Sequence, residues 1–444
     1  MLHSREVTVR SILPGMARCL LAAVAWHVLA CGPSLGGEPP ETPADRLSER
    51  APTFHDDIAP ILHLSCTPCH HPGGPAPFSL IDDRDATRRG AQIARVTRSR
   101  FMPPWKAEPG YGEFEGVRRL DEESIRLIEA WVSNGMPVGQ RSEEWAPPHH
   151  DGGWILGEPD LVVEMAESIE IPADGPEIFR RFRIPLGLDE TKYLEALEFR
   201  PSNPAVVHHV VIVALNEGER VGGDGLGLAG DFLEAWTPGA FARPLPDGVA
   251  RVLEKGARLQ LQMHLRPSGK VEQERPRIGF HFAAKPPIHA LSGLRLGSSR
   301  IEIPPGTQDY RVTDSVVVPA DAEAIGIIPH AHYICREMSV QATPPGGEKI
   351  WLLRITDWDF NWQEHYRYAS PVPLPRGTLV EMEFTYDNSS KNPRNPFEPP
   401  RKIQWGQLSS NEMAILYIEV LPKNPADLPL FKEKLRESKR RGKR

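Results

Sequence analysis

The chain has 444 residues, too many for one ordinary hydrophobic core, so several domains are expected. Charged residues make up 25% and apolar ones 40%, a balance that excludes a chain too polar to fold; the net charge of −7 gives no reason to expect a nucleic-acid partner. The 46 prolines, about twice the usual share, favour turns and short strands over long helical bundles.

Residues 1–31 read as an export signal. Arg5, Arg10 and Arg18 precede an apolar run from Leu20 to Ala30 that is too short to span a bilayer stably. The run ends in Val28-Leu29-Ala30-Cys31-Gly32, which resembles a bacterial lipoprotein cleavage box. Two readings stay open: an ordinary cleaved signal, or a lipid anchor on Cys31. Either way the chain is expected outside the cytoplasm, periplasmic or tethered to a membrane facing the periplasm. Residues 32–52 are rich in Gly, Pro and Glu and read as a linker.

Residues 53–142 read as a small all-α domain. Asp56 or Asp57 is expected to cap a helix carrying Ile58, Ile61 and Leu62. A basic helix spans about Asp85–Arg100, and a third helix runs from near Asp121 to near Gly135 with Ile125, Ile128, Trp131 and Val132 on one stripe. The first helix leads into Cys66-Thr67-Pro68-Cys69-His70, the attachment motif for one covalent haem c. Two thiols add across the porphyrin vinyl groups and His70 supplies an axial nitrogen. No second Cys/His pair of zinc spacing follows. The other axial ligand is expected at Met102, in Phe101-Met102-Pro103-Pro104-Trp105, with Met136 as the alternative. The arrangement resembles class I cytochromes c. The cluster Arg84, Arg88, Arg89, Arg95, Arg98 and Arg100 is either a solvated face or a dock for an acidic electron donor.

After a linker at 143–156 the pattern becomes alternation, and two all-β sandwich domains are expected at 157–288 and 289–424. Leu259, Leu261, Met263 and Leu265 share one strand face, with Gln260, Gln262 and His264 on the other. Ala414, Leu416, Ile418 and Val420 alternate with Met413, Ile415, Tyr417 and Glu419. Residues 425–444 read as a basic tail, with Lys432–Arg444 frayed at the surface. With Cys66 and Cys69 committed to haem, only Cys335, and Cys31 if retained, remain outside the signal, so no disulfide network is available.

Metal-ligating side chains gather in this second half. His330 and His332 are two apart and share a strand face, so two imidazoles can converge on one ion. His208 and His209 are adjacent and point to opposite faces of a flat strand, so both can bind one metal only at a bulge or strand end. Imidazole suits copper in either oxidation state, and the Met413 thioether favours Cu(I). Val207-His208-His209, Leu261-Gln262-Met263-His264, His330-Ala331-His332 and Ser409-Ser410-Asn411-Glu412-Met413-Ala414-Ile415-Leu416-Tyr417 together resemble the copper type II, ascorbate-dependent monooxygenases, over about residues 157–423. That family includes peptidylglycine alpha-hydroxylating and dopamine beta-monooxygenases. The resemblance implies two jelly-roll-like sandwiches, each supplying one copper. His208, His209 and His264 would hold the electron-transfer copper; His330, His332 and Met413 would hold the oxygen-activating copper. Tyr417 is expected to face the cleft. Where the peptide hydroxylases carry an arginine two residues before His-x-His, this chain has Ile328, and their asparagine after the Met is Ile415, so a C-terminal glycine peptide is an unexpected substrate.

The expected activity is hydroxylation of a C–H bond of a small organic substrate by O2, with electrons relayed through the haem from a reduced carrier or an ascorbate-like donor. A non-catalytic haem and copper electron carrier is the alternative, and zinc hydrolysis a weaker one, because no general-base carboxylate lies close in sequence to the His pairs.

Overall fold

The computed structural model describes residues 50–141, 153–215 and 231–441. The export signal, Cys31 and nearly all of both linkers lie outside the described residues. Residues from Ala51 onward form one compact unit. No helix among the described residues is long and apolar enough to cross a membrane.

The N-terminal part of this unit carries helices at Ala59–Ser65, Asp83–Arg98 and Glu122–Ser133, preceded by a π-helical turn at Phe54–Ile58. They close on a core of Phe54, Ile58, Leu62, Ile93, Ile128 and Trp131. The expected caps hold in part. Asp121 accepts the Ser124 amide at 2.7 Å, whereas the first turn is capped by Thr53, not by Asp56 or Asp57. Those two carboxylates bond back to Thr53, where acidic side chains at a helix start belong.

The sheets follow. The first set comprises β1 (Leu161–Glu164), β2 (Ile169–Ile171), β3 (Ile178–Pro185), β4 (Lys192–Arg200), β5 (Val207–Leu215) and β6 (Asp231–Trp236). It continues with β7 (Val249–Leu253), β8 (Arg258–Leu265), β9 (Glu272–Glu274), β10 (Arg277–Phe282) and β11 (His289–Ala290). The second set comprises β12 (Ser292–Ser298), β13 (Glu302–Ile303), β14 (Tyr310–Val317), β15 (Ala322–His330) and β16 (Cys335–Thr343). It ends with β17 (Ile350–Ile355), β18 (Tyr366–Leu374), β19 (Leu379–Tyr386), β20 (Ile403–Gln404) and β21 (Ala414–Pro422). In the first set, β1-β10-β4-β7-β11 and β3-β8-β5-β6 share a core of Val210, Ile212, Leu259, Leu261, Ile278 and Phe280. In the second, β12-β21-β15-β18 and β14-β19-β16-β17 share a core of Leu294, Ile327, Val340, Phe384, Leu416 and Ile418. The protein is mostly β, in several separate sheets, and fits paired sandwiches.

Two features depart from expectation. The helical part does not stand apart. Its segment 101–119 crosses to the second set of sheets, where Ala107 and Phe114 enter the core and Phe114 bridges Tyr368. Trp105 packs edge-on to Tyr366 at 5.2 Å, and Lys106 pairs with Asp357 at 2.7 Å. An aromatic-rich loop buries apolar surface that a polar linker would leave in water. Among the described residues of the end, Leu428–Arg441 is helical rather than frayed, with Phe431 fully buried and Leu435 buried on the same face. These two apolar residues are four apart and fall on one face, and packing them outweighs the surrounding charge.

Candidate metal centre

His208 and His209 lie at the start of β5, and β8 runs antiparallel to it with His209 opposite His264. The register slips between Val207 and His209, so the chain bulges at His208, and both adjacent imidazoles turn to the same side. Ligand atoms of His208, His209 and His264 all lie within 4.8 Å of one another. His264 is stacked on Phe179 at 4.3 Å, and His208 on Phe360 at 4.5 Å. Nε2 of His208 and Nδ1 of His264 are buried with no hydrogen-bond partner among the described residues. Burial, reinforced by neighbouring positive groups, lowers His208 to about 2 and holds His209 well below the usual imidazole range. Burial lowers His264 as well. These are neutral imidazoles with unused lone pairs, the donor set a transition metal needs.

His330 ends β15, and His332 lies just beyond it. Their rings are 5.2 Å apart and perpendicular. His330 Nδ1 faces Gln363 Oε1 at 2.5 Å, and His332 Nδ1 faces the Asn411 carbonyl at 3.2 Å. In each, donating the Nδ1 proton leaves Nε2 bare for a metal. Burial lowers His330 to about 4 and holds His332 well below the usual imidazole range. Met413, His330, His332 and His209 line one cavity of about 120 Å³. The rings of His209 and His330 are 5.7 Å apart, so the two groups of ligands adjoin across the sandwiches.

The sheet β12-β21-β15 sets the rest of this cavity. Gly297, Ile415 and His330 form one cross-strand row; Arg295, Tyr417 and Ile328 form the next. All but Gly297 line the cavity, with Val211, Val213 and Phe232 from the facing sheet. Tyr417 packs on Phe232 at 4.8 Å. One row further on, Glu419 lies between Gly293 and Gly326. A Cβ at Gly326 would come within 2.7 Å of the Glu419 carboxylate, so the glycine makes room for it. Glu419 pairs with Arg251 and with His365 Nε2 at 3.0 Å, and His365 Nδ1 faces Glu234 at 3.3 Å.

Two carboxylates, Glu412 and Glu177, support these groups without a role assigned from the sequence. Glu412, fully buried, accepts the amides of His332, Ile334 and Met413 at 2.9, 2.9 and 3.1 Å. It thereby joins the His332 turn to the Met413 strand. Glu177 lies 3.3 Å from His264 Nε2 and accepts the Ser409 amide and hydroxyl, tying the first ligand group to the loop before Met413. Burial works to raise Glu177, but hydrogen bonds from His264 and Ser409 outweigh it and hold the carboxylate at about 2.

At the other motif, Cys66 and Cys69 follow the helix Ala59–Ser65, the Cys66 amide bonding Leu62 O and the His70 amide bonding Cys66 O. Burial pushes the Cys66 thiol up to about 12 and raises Cys69 too. His70 Nδ1 faces the Phe78 carbonyl at 3.1 Å, again leaving Nε2 bare. A cavity of about 710 Å³ is lined here by Thr67, Pro68 and His71 and by Trp236, Gly239 and Phe241 of the first sandwich. Met102 is half-buried at the start of the 101–119 segment, and Met136 packs its sulfur against Gly90 in the helical core.

No family model matches this sequence, and no curated protein matches it. Among solved structures, the major capsid protein P2 of bacteriophage PM2 aligns with 59% of this chain and 96% of its own, at 9% identity and a TM-score of 0.29. An allantoicase aligns with 55% of this chain and 84% of its own, at 12% identity and a TM-score of 0.17. The VP2 subviral particle of infectious bursal disease virus aligns with 61% and 83%, at 10% identity and a TM-score of 0.18. Likenesses this slight carry no argument about fold or function.

Proposed function

We propose that the protein is an exported copper-dependent monooxygenase that hydroxylates a C–H bond of a small, largely apolar substrate with O2, its electrons arriving through a covalent haem c. The observation that carries the reading is the convergence of His209 with His330, His332 and Met413 on one cavity, with His208 and His264 beside it. One copper is assigned to His208, His209 and His264, and a second to His330, His332 and Met413. The helical part is read as cytochrome c-like, with haem on Cys66, Cys69 and His70, and the sheets as two jelly-roll-like domains. Met102 would be the second haem-holding side chain beside His70, because the Met136 thioether is engaged in packing. The electron donor is a reduced carrier or an ascorbate-like molecule, and Cys31 is the site of any lipid anchor.

Both groups fit the donors present: two thiols one turn from a histidine with a bare Nε2, and neutral imidazoles with a thioether. Copper bound here supplies single-electron exchange and dioxygen activation. The chain's own contribution is placement and exclusion. Gln363 and Asn411 fix the tautomers of His330 and His332. Val211, Val213, Phe232, Ile328 and Ile415 keep the cavity apolar, which favours an uncharged reacting end, and Tyr417 orients it.

Metal analysis with electron paramagnetic resonance should find one haem and two Cu(II) per chain. Met413→Ala should abolish substrate oxidation while leaving the haem and the His208 copper in place; oxidation at the wild-type rate would reject the assignment. If O2 oxidises the reduced protein without forming an organic product, the chain is an electron carrier instead.

A further inference from the structure

A continuous path links the haem-attachment motif to the second ligand group, and it does not pass through the first. The thiol of Cys69 lies against the turn after β6: a Cβ at Gly239 would meet Cys69 Sγ at 2.7 Å. The backbone there has φ +87°, so Gly239 satisfies both the turn and the close approach. Two residues earlier, the Thr237 hydroxyl donates to the Gln363 carbonyl at 3.0 Å. The Gln363 side chain in turn holds His330 Nδ1 at 2.5 Å, and its amide nitrogen donates to Phe360 O at 3.0 Å. The next residue, Glu364, pairs with Arg118 of the helical part, and both charges act on Cys69. Gln363, Glu364 and His365 line the metal cavity, and the latter two also line the cavity beside Cys66-Thr67-Pro68-Cys69-His70. His209 is next in line, ring to ring with His330.

We infer that Thr237–Gly239 and Gln363 form the route by which electrons from the haem motif reach the metal at His330, His332 and Met413, ahead of the metal at His208, His209 and His264. The inference rests on the proposed haem and copper content. Each transfer moves one electron: a ferrous haem becomes ferric and one Cu(II) becomes Cu(I), with no atom exchanged. Electron coupling falls with each gap between bonded or touching groups, and this path consists of one van der Waals contact, two hydrogen bonds and covalent bonds. Gln363 acts through His330 and is a positioning residue.

The test follows the haem absorbance after rapid mixing of reductant with the anaerobic, fully oxidised protein. Haem reduction is then followed by its reoxidation as copper takes the electron. The fast reoxidation phase should persist in His264→Ala, which removes a ligand of the first copper, and be lost in His332→Ala. Thr237→Val, which removes only the hydrogen bond to the Gln363 carbonyl, should lose the fast phase while metal content and circular dichroism stay at wild-type values. A fast phase that survives His332→Ala and vanishes in His264→Ala overturns the route and leaves the haem and copper reading intact. A wild-type protein without covalent haem or without copper overturns both.

Discussion

Glu412 shows how much of the site depends on a side chain that touches no metal. It is enclosed by the turn it organises, and its carboxylate takes three backbone amides. Glu412→Ala strands all three, which at about 1 to 3 kcal/mol for each unsatisfied donor predicts a loss of at least ~3 kcal/mol. Urea unfolding measures that loss, and metal analysis should show that the copper proposed at His330 goes with it. Glu412→Gln keeps one acceptor oxygen and should fall between. The candidate ligands were legible as residues: spacing marks Cys66, Cys69 and His70, and His208, His209, His264, His330, His332 and Met413 stand in the stretches that carry the family resemblance. Gln363, Glu177 and Phe360 were not. Each is a common residue far along the chain from the histidine it touches, and only the fold brings it there.

At the scale of elements, the two-residue period of a strand has a specific consequence. Two adjacent histidines cannot face one metal from a regular strand, and β5 has its register slip at that point. The same sheets hold a charged group that periodicity could not foresee. β21 contributes Glu419, β7 Arg251, β6 Glu234, and His365 precedes β18. Burial works to lower His365, but Glu419 and Glu234 outweigh it and raise the imidazole to about 10. Burial works to raise Glu419, but His365 and Arg251 hold it at about 2. A raised histidine stabilises fully below its unfolded value near 6.5, and that contribution is lost as pH rises through about 10. A depressed carboxylate stabilises above its unfolded value near 4.5, and that contribution is lost as pH falls through about 2. Thermal melting should therefore be highest between these limits and decline towards pH 10. His365→Gln should flatten the alkaline limb; an unchanged limb would show that His365 is not its source. At the C-terminal end, the run of Lys and Arg masked the Phe431 and Leu435 pair, so a helix stood where charge alone argued for fraying.

At the scale of the molecule, segment 101–119 decides how the parts relate. It threads from the helical core into the second sandwich, and Phe114 is its buried anchor. Phe114→Ala should cost about 3 kcal/mol, the usual range for emptying a buried aromatic site. Calorimetry of the intact chain should give one transition for helices and sheets together, because segment 101–119 ties the helices to the core of the second sandwich; a separate early transition of the helical part would contradict this. Sequence by itself determined the order of elements and the alternation that builds the sheets, since these follow from local periodicity, and it offered the candidate ligand side chains through a short haem motif and a family resemblance. Only the tertiary structure decided that His209 meets His330, that Glu412 and Gln363 set the ligand geometry, and that Cys69 abuts Gly239. Those are contacts between segments far apart in the chain, fixed by how faces bury against one another and invisible to any local pattern.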